Sequence, residues 1–453
     1  MEKLAILGGT PALPKEAPKE LFHWPIITEE DEAAALEIIR TNNFSGTDIT
    51  TKFQDEFAAW QGRRHALAYT NGTMSIAAAL FAIGLGAGDE IICPTKTYWA
   101  SITAAQWLGA TAVFCAINNK MSLDPDDLER CITKRTKAIM VVHYHGYPAD
   151  MDRIMEIANR HNLIVIEDVS HAQGGLYKGK KLGNFGHIAA MSMMSGKAFA
   201  AGEMGMLVTD DTRLYERALA YGHYERNNES FIKESEELKP YFHIAIGGVK
   251  GRVNQLCAAL GRGQLKHFDE RTAEIRRAMN YFFDQIEKIP GLSPLRVDES
   301  TGSTMGGFYH PHCIYDPAAF HGLSVKRFAK AVMDEFNGTA PCWDGSNYCL
   351  HTHNYFKTFD GFHLGKPSRI AFADANAVPE DDVTPSLAAS VEVHCFSVPW
   401  FKKLNKEWID RYVAAIRKVV DQHEALLEED DKSEQGGRWY GATNEDVQQK
   451  KKN

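Results

Sequence analysis

Lys197 stands in the run Ser192–Gly205, SMMSGKAFAAGEMG, as the sole basic residue among small and apolar ones. An ammonium group confined in such surroundings loses hydration. Its pKa falls, and the neutral amine becomes available as a nucleophile toward carbonyl carbon. A solitary lysine more often carries its charge out to water on its long stem, so the residue gains meaning only with partners. Asp168 closes the apolar run NLIVIED, with Glu167 and His171 beside it. A carboxylate in that place needs a cation, a salt bridge or a helix end to cap. Gly72 opens NGTMS directly after HALAYT. Glycine lets backbone approach a ligand there, and the amides of Gly72, Thr73 and Met74 would face an anion at a helix start. A plain cap by Asn71 or Thr73 is the simpler use of the same residues. Tyr98 and Trp99 follow EIICPT, placed either to stack a planar ligand or to fill core.

Each of these residues comes just after a predicted strand. HALAYT, EIICPT, TAVFCAI, KAIMVVHYHG and NLIVIED read as strands, and helical segments such as MSIAAALFAIGLGAGD and MDRIMEIANRH separate them. HIAAMSMM and MGMLVTDD supply two more strands. Apolar strands alternating with helices mean an α/β domain whose mostly parallel sheet is flanked by helices. Ligands of such sheets bind beyond the carboxyl ends of the strands, where all four features fall. Upstream, TEEDEAAALEIIR reads as a helix with Thr28 and Asp31 as a capping box. Phe268, Ile275, Met279 and Phe282 at helical spacing predict one long helix leading out of the sheet domain. Beyond Pro290 the segments are shorter and mixed, as in a smaller α+β domain. The expected division is an arm over 1–27, a large domain over 28–265, a small domain over 266–428 and a loose tail over 429–453. Residues 225–245 read as a long loop, a length that often carries function.

An anion cradle, an aromatic plate, a buried carboxylate and a masked lysine are the contacts that pyridoxal 5'-phosphate requires. The phosphate takes the helix start and the ring takes the stacking face. Asp168 keeps the pyridine nitrogen protonated, so the ring can act as an electron sink, and Lys197 binds the aldehyde as a Schiff base.

The composition excludes several other classes. Net charge is -9, with 44% hydrophobic and 24% charged residues, so nothing points to a nucleic-acid or membrane-surface partner. No apolar run reaches transmembrane length and the start does not read as a secretory signal. The eight cysteines are scattered in apolar strings, as expected of reduced, buried thiols in a cytoplasmic protein. Cys349, His351 and His353 lie close in sequence without a fourth ligand at a telling spacing, so no metal is expected. On a strand the two histidines would share a face, turned toward substrate hydroxyls or toward solvent.

From about Leu4 to about Leu427 the chain resembles the DegT family of sugar aminotransferases, fold-type I enzymes that use pyridoxal phosphate. The resemblance rests on NGTMS, GAGDEIICPTKTYWAS, HYHGYPADMD, IEDVSHAQGGLYKGKKLGNFG, SMMSGKAFAAGEMGMLVTDD and AALGRGQLKHFDER, in that order. It implies that Lys197 is the Schiff-base lysine, Asp168 the partner of the pyridine nitrogen and Tyr98 the stacking aromatic. It places His171 near the ring and Gly72, Thr73 and Ser192 at the phosphate, Ser192 five residues before the lysine. Sites shared between two subunits, hence a homodimer, are implied as well. Two positions depart from the family's pattern. Met204 replaces the first glycine of a Glu-Gly-Gly and could narrow the entrance. Lys250 replaces an asparagine that reaches the neighbouring subunit's phosphate, where a cation can still bind as a point charge.

The resemblance implies transfer of an amino group from glutamate or glutamine to a keto sugar or keto cyclitol. The segment CLHTHNYFKTFDGFHLGKPSRIA resembles the branch handling cyclitols or sugars without a nucleotide. His223 matches a position near the substrate mouth, and His351 and His353 are further candidates there. Within the same fold, a sugar dehydratase would carry histidine in place of Lys197, and a silent scaffold protein would have no use for Lys197 with Asp168. An aminotransferase of ordinary amino acids remains a third reading.

Overall fold

The computed structural model of the protein describes residues 2–373 and 384–431. Its strands are β1 (His65–Tyr69), β2 (Glu90–Pro94), β3 (Thr111–Cys115), β4 (Thr136–Val142), β5 (Ile164–Asp168), β6 (Leu176–Tyr177), β7 (Lys180–Lys181), β8 (Ile188–Ser192), β9 (Gly205–Thr209), β10 (Leu292–Pro294), β11 (His312–Tyr315) and β12 (Cys395–Ser397). Seven of them form one sheet in the order β1-β9-β8-β5-β4-β2-β3. All neighbours run parallel except β9, which is antiparallel to both β1 and β8. Successive side chains alternate between faces. Ile91, Ile166, Ile188 and Leu207 enter one apolar core, whereas Ile92, Val165, Ala189 and Val208 pack on the opposite side. Burial on both faces explains the unbroken apolar runs.

The capping box forms as read. Thr28 Oγ1 accepts from the Asp31 amide at 3.2 Å, and Asp31 Oδ2 accepts from the Thr28 amide at 2.9 Å. The long helix runs Gln255–Ile286, with Asn254 as its cap. Its first half packs on the large domain: a Cβ at Gly261 would lie 2.8 Å from the Phe53 ring, so only glycine permits that approach. Its second half sends Ile275, Met279, Phe282 and Phe283 into a separate core under the antiparallel sheet β10-β11-β12.

The N-terminal arm is tied into that second core through Leu4, Leu13 and Leu21. The amides of Ala5 and Ala12 donate to the buried Glu335 carboxylate at 2.7 and 2.8 Å, and Lys418 pairs with it at 2.9 Å. Residues 350–373 and 384–391 return to the first sheet, where Leu350, Phe356 and Leu387 join its core. Two short 3-10 turns shape the 225–245 segment, and the Glu216 carboxylate pins it by accepting the amides of Lys233, Glu234 and Ser235. Of the expected tail, Glu429 and Asp430 are docked on Arg327 and Ser324, while residues 432–453 lie outside the described residues. All eight cysteines are buried and free of disulfides. No helix among the described residues is long and apolar enough to cross a membrane.

Candidate active site

Parallel strands deliver their carboxyl ends to one edge of the sheet, and the chemistry collects there. Lys197 lies in the turn after β8, 9% exposed, with Nζ 4.2 Å from the centre of the Tyr309 ring. Its amide donates to the Met194 carbonyl at 2.7 Å, and its carbonyl accepts from Trp24 Nε1 at 2.9 Å. The backbone is therefore held while the amine stays dry. Burial pushes the amine pKa down to about 8, against a smaller upward pull from the Asp168 charge.

Asp168 ends β5 and is 4% exposed. Its Oδ2 accepts the Ser101 hydroxyl at 2.7 Å, and its Oδ1 accepts the Ser170 amide at 3.0 Å. The neighbouring Glu167 turns to the other face and is also fully buried. It is 3.0 Å from His143 Nε2 and accepts the amides of Gly183, Phe185 and Gly186. Burial alone would raise its pKa, but the His143 contact and these amides outweigh it and hold the carboxyl low.

His171 accepts the His145 amide on Nδ1 at 3.2 Å, which assigns its proton to Nε2. Its ring stacks on Tyr144 at 5.3 Å and leans on Tyr309 at 4.6 Å. Burial, and then the charge of Lys197, keep it well below the ordinary histidine range, so it is neutral at pH 7.

The helix Gly72–Ala82 starts against the end of β8. A Cβ on residue 72 would sit 2.5 Å from Ser192 Cβ, so glycine is required for this approach. The Met74 amide is not available to an anion, because Asn71 Oδ1 caps it at 2.8 Å. Capping and anion binding thus divide the helix start between them, and the amides of Gly72 and Thr73 remain for a ligand. Ser192 donates its amide to Ser170 Oγ and accepts Gln173 Nε2 at its carbonyl. Gln173 Oε1 is buried without a partner among the described residues. Tyr98 is half-buried on the strap after β2, its ring 4.8 Å from Trp99. Glycine-lined amides beside a serine hydroxyl, an aromatic strap, a tethered carboxylate and a dry amine fit a planar phosphorylated aldehyde with a basic ring nitrogen.

Other expected residues fall elsewhere. His351 and His353 lie on no strand: His351 is in the 3-10 turn Leu350–Thr352, and His353 caps the helix Asn354–Thr358 through the Tyr355 amide. Alternation misled because so short a polar segment carries no burial pattern to choose a period. His351 Nδ1 bonds Thr95 Oγ1 under the aromatic strap, and burial pushes its pKa down to about 4. His223 is fully buried edge-on to Tyr69, rather than at an open mouth, with Nδ1 4.0 Å from the Glu225 carboxylate. Met204 does not narrow an entrance. It is fully buried, its methyl close to Gly261 in the Phe53 core. Lys250 is exposed, with Nζ 5.5 Å above the Tyr224 ring. Trp24, Ser101, Ser170, Gln173 and Tyr309 also contact these groups, though no local sequence signal singles them out. Ser170 and Gln173 sit within the EDVSHAQG stretch beside His171. The others come from distant segments.

The sequence profile of the DegT/DnrJ/EryC1/StrS aminotransferase family matches residues 25–359. GDP-perosamine synthase is 38% identical in two organisms. The Caulobacter vibrioides enzyme aligns over 406 residues, 87% of this chain and 97% of that one. The Escherichia coli O157:H7 enzyme aligns over 239 residues, 52% of this chain and 63% of that one. A putative L-glutamine:3-amino-2,3-dideoxy-scyllo-inosose aminotransferase of Micromonospora echinospora is 30% identical over 425 residues, 86% of this chain and 97% of that enzyme. Among solved structures, an aminotransferase from Psychrobacter cryohalolentis superposes with a TM-score of 0.73 at 28% identity, covering 89% of this chain and all of that one.

Proposed function

Since the chain belongs to the DegT/DnrJ/EryC1/StrS aminotransferase family and is a pyridoxal-phosphate-dependent aminotransferase, we propose that it moves an amino group from glutamate or glutamine to a keto sugar or keto cyclitol. The observation that carries this reading is Lys197, a buried amine with its pKa drawn down to about 8 beside the buried Asp168. Pyridoxal phosphate, when bound, supplies an aldehyde that takes up the amino group and a ring that withdraws electrons. The chain's own residues do the rest. The amides of Gly72 and Thr73 and the Ser192 hydroxyl hold the phosphate, and Tyr98 and His171 flank the ring. Asp168, oriented by Ser101 and Ser170, holds the proton on the ring nitrogen. Lys197 anchors the aldehyde in the resting enzyme. Once displaced by the donor, its neutral amine removes the proton at the donor's α-carbon. Tyr309 and the Trp24 tether limit where that amine can swing.

The relatives named above act on a nucleotide-linked sugar and on an inosose, which supports a polyhydroxylated ketone as acceptor. His351 and His353 are the proposed substrate-side imidazoles, whereas His223, wholly buried against Tyr69, has no open path to a substrate. A cytoplasmic homodimer completes the reading. Leu36, Ile39 and Phe44 near one end and Phe231, Tyr241 and Ile244 in the 225–245 segment are exposed apolar residues suited to a subunit interface. Lys250 is proposed to reach the partner's phosphate.

The test is a two-step exchange. The enzyme is loaded with glutamate or glutamine until its visible band is lost. It is then offered nucleotide-linked keto sugars, free keto sugars and inososes. Return of the band with one acceptor identifies the class. Return with none of them, but with simple α-keto acids, overturns the proposal in favour of ordinary amino-acid transamination.

A further inference from the structure

Three imidazoles meet beside His171. His145 lies in the turn Tyr144–Gly146 after β4, His310 just precedes β11, and His312 begins it. One nitrogen from each lies within 4.8 Å of the other two. The ring centres of His145 and His312 are 3.9 Å apart, and His310 is 4.7 Å from His312 and 5.6 Å from His145. His145 and His310 both hold positive φ, 53° and 49°.

One member of the cluster, His145, is 1% exposed and lacks hydrogen-bond partners for its ring among the described residues. Leaving such groups unsatisfied in the interior is costly. His312 is wholly buried, with Nδ1 2.8 Å from the His310 carbonyl and Nε2 3.2 Å from the Gly345 carbonyl. A backbone carbonyl fixing the other ring nitrogen is the usual support of a metal-bound histidine.

We propose that His145, His310 and His312 bind a divalent ion of the zinc class, stapling the turn after β4 in the large domain to β11 in the small one. Three imidazoles without a thiolate or carboxylate suit zinc, or nickel and copper, over magnesium and calcium. On binding, the rings turn edge-on and the three nitrogens close to about 3.3 Å from one another, the spacing set by Zn–N bonds on a tetrahedral ion. His310 is exposed, which leaves a path for entry and a fourth position for water or a ligand oxygen.

The experiment uses the holoenzyme, reduced with borohydride so that cofactor content cannot change. Every sample carries His321→Ala, which removes a separate surface cluster of His321, His423 and Glu424. After dialysis against micromolar zinc, elemental analysis is expected to find about one zinc per chain, and the melting temperature to rise by several degrees. His145→Ala and His310→Ala are each expected to weaken zinc binding by about a hundredfold or more, as loss of one of three protein ligands does. His310 is exposed, so its variant tests the site even if the buried change impairs folding. Less than about a tenth of an equivalent of zinc in the parent, or unchanged binding in His310→Ala, overturns the proposal.

Discussion

If the amine of Lys197 is kept dry by the fold, the apoenzyme should capture added pyridoxal phosphate at a pH where an ordinary lysine barely reacts. Burial moves its pKa from 10.5 to about 8. At pH 7 roughly a tenth of the amine is then neutral, against about three in ten thousand for a free lysine, a gain of about 300-fold in reactive form. The same shift means that the fold disfavours the ammonium by about 3 kcal/mol at ~1.36 kcal/mol per unit. The sign for stability follows. Between about 8 and 10.5 the unfolded chain binds the proton that the folded chain has released, so apoenzyme stability rises with pH across that window. Below it the full penalty applies. Lys197→Met should therefore stabilise the apoenzyme at pH 7 by up to about 3 kcal/mol, with the advantage fading toward pH 10.5. The assay is stopped-flow absorbance of cofactor capture from pH 6 to 10.5, divided by the rate of a blocked lysine in the same solutions, so that the cofactor's own ionisations cancel. The ratio is expected to hold at about 300 below pH 8 and to fall toward unity between about pH 8 and 10.5. A rate ratio flat across the range, or a Lys197→Met apoenzyme no more stable than the parent at pH 7, would refute the reasoning.

Gly72→Ala puts a methyl 2.5 Å from Ser192 Cβ. Overpacking of this kind costs about 1–3 kcal/mol, and cofactor affinity by fluorescence titration should fall together with the melting temperature. Glu167→Gln breaks a fully buried pair with His143 and should destabilise the protein by about 3–5 kcal/mol in urea at pH 7. Because the Glu167 carboxyl is held low, its contribution is whole above its ordinary value of 4.5 and is lost as pH falls through the folded value, so the gap between variant and parent should close in acid. Lys250→Ala should weaken cofactor retention several-fold in the dimer, read by dialysis and residual absorbance. Unchanged retention would remove Lys250 from the proposed phosphate site.

Much of the site was legible because its residues obey local rules. Asp168 ends an apolar strand, Gly72 follows one and opens a helix, and Lys197 breaks an apolar run. A residue at the end of a buried parallel strand has few places to go other than the sheet's carboxyl edge. Caps and helices were equally readable, since the Thr28–Asp31 box and the spacing of Phe268, Ile275, Met279 and Phe282 involve neighbours a few positions apart. His351 and His353 failed for the complementary reason: a short segment without apolar periodicity allows turn, helix or strand, and packing against Thr95 and Phe114 decided it.

The chain alone therefore determined an α/β sheet domain, its order of strands and helices, and the place of four candidate groups at one edge of its sheet, because these follow from periodicity, capping and the cost of burying charge. Only tertiary packing decided that Ser101 would tether Asp168, that Trp24 of the arm would hold the Lys197 backbone, that Met204 would turn into the core, and that three histidines from two domains would meet. Those contacts join residues tens to hundreds of positions apart, and no local pattern encodes them. They form because whole apolar faces are buried at once, and the polar groups carried along must then find partners where packing leaves them.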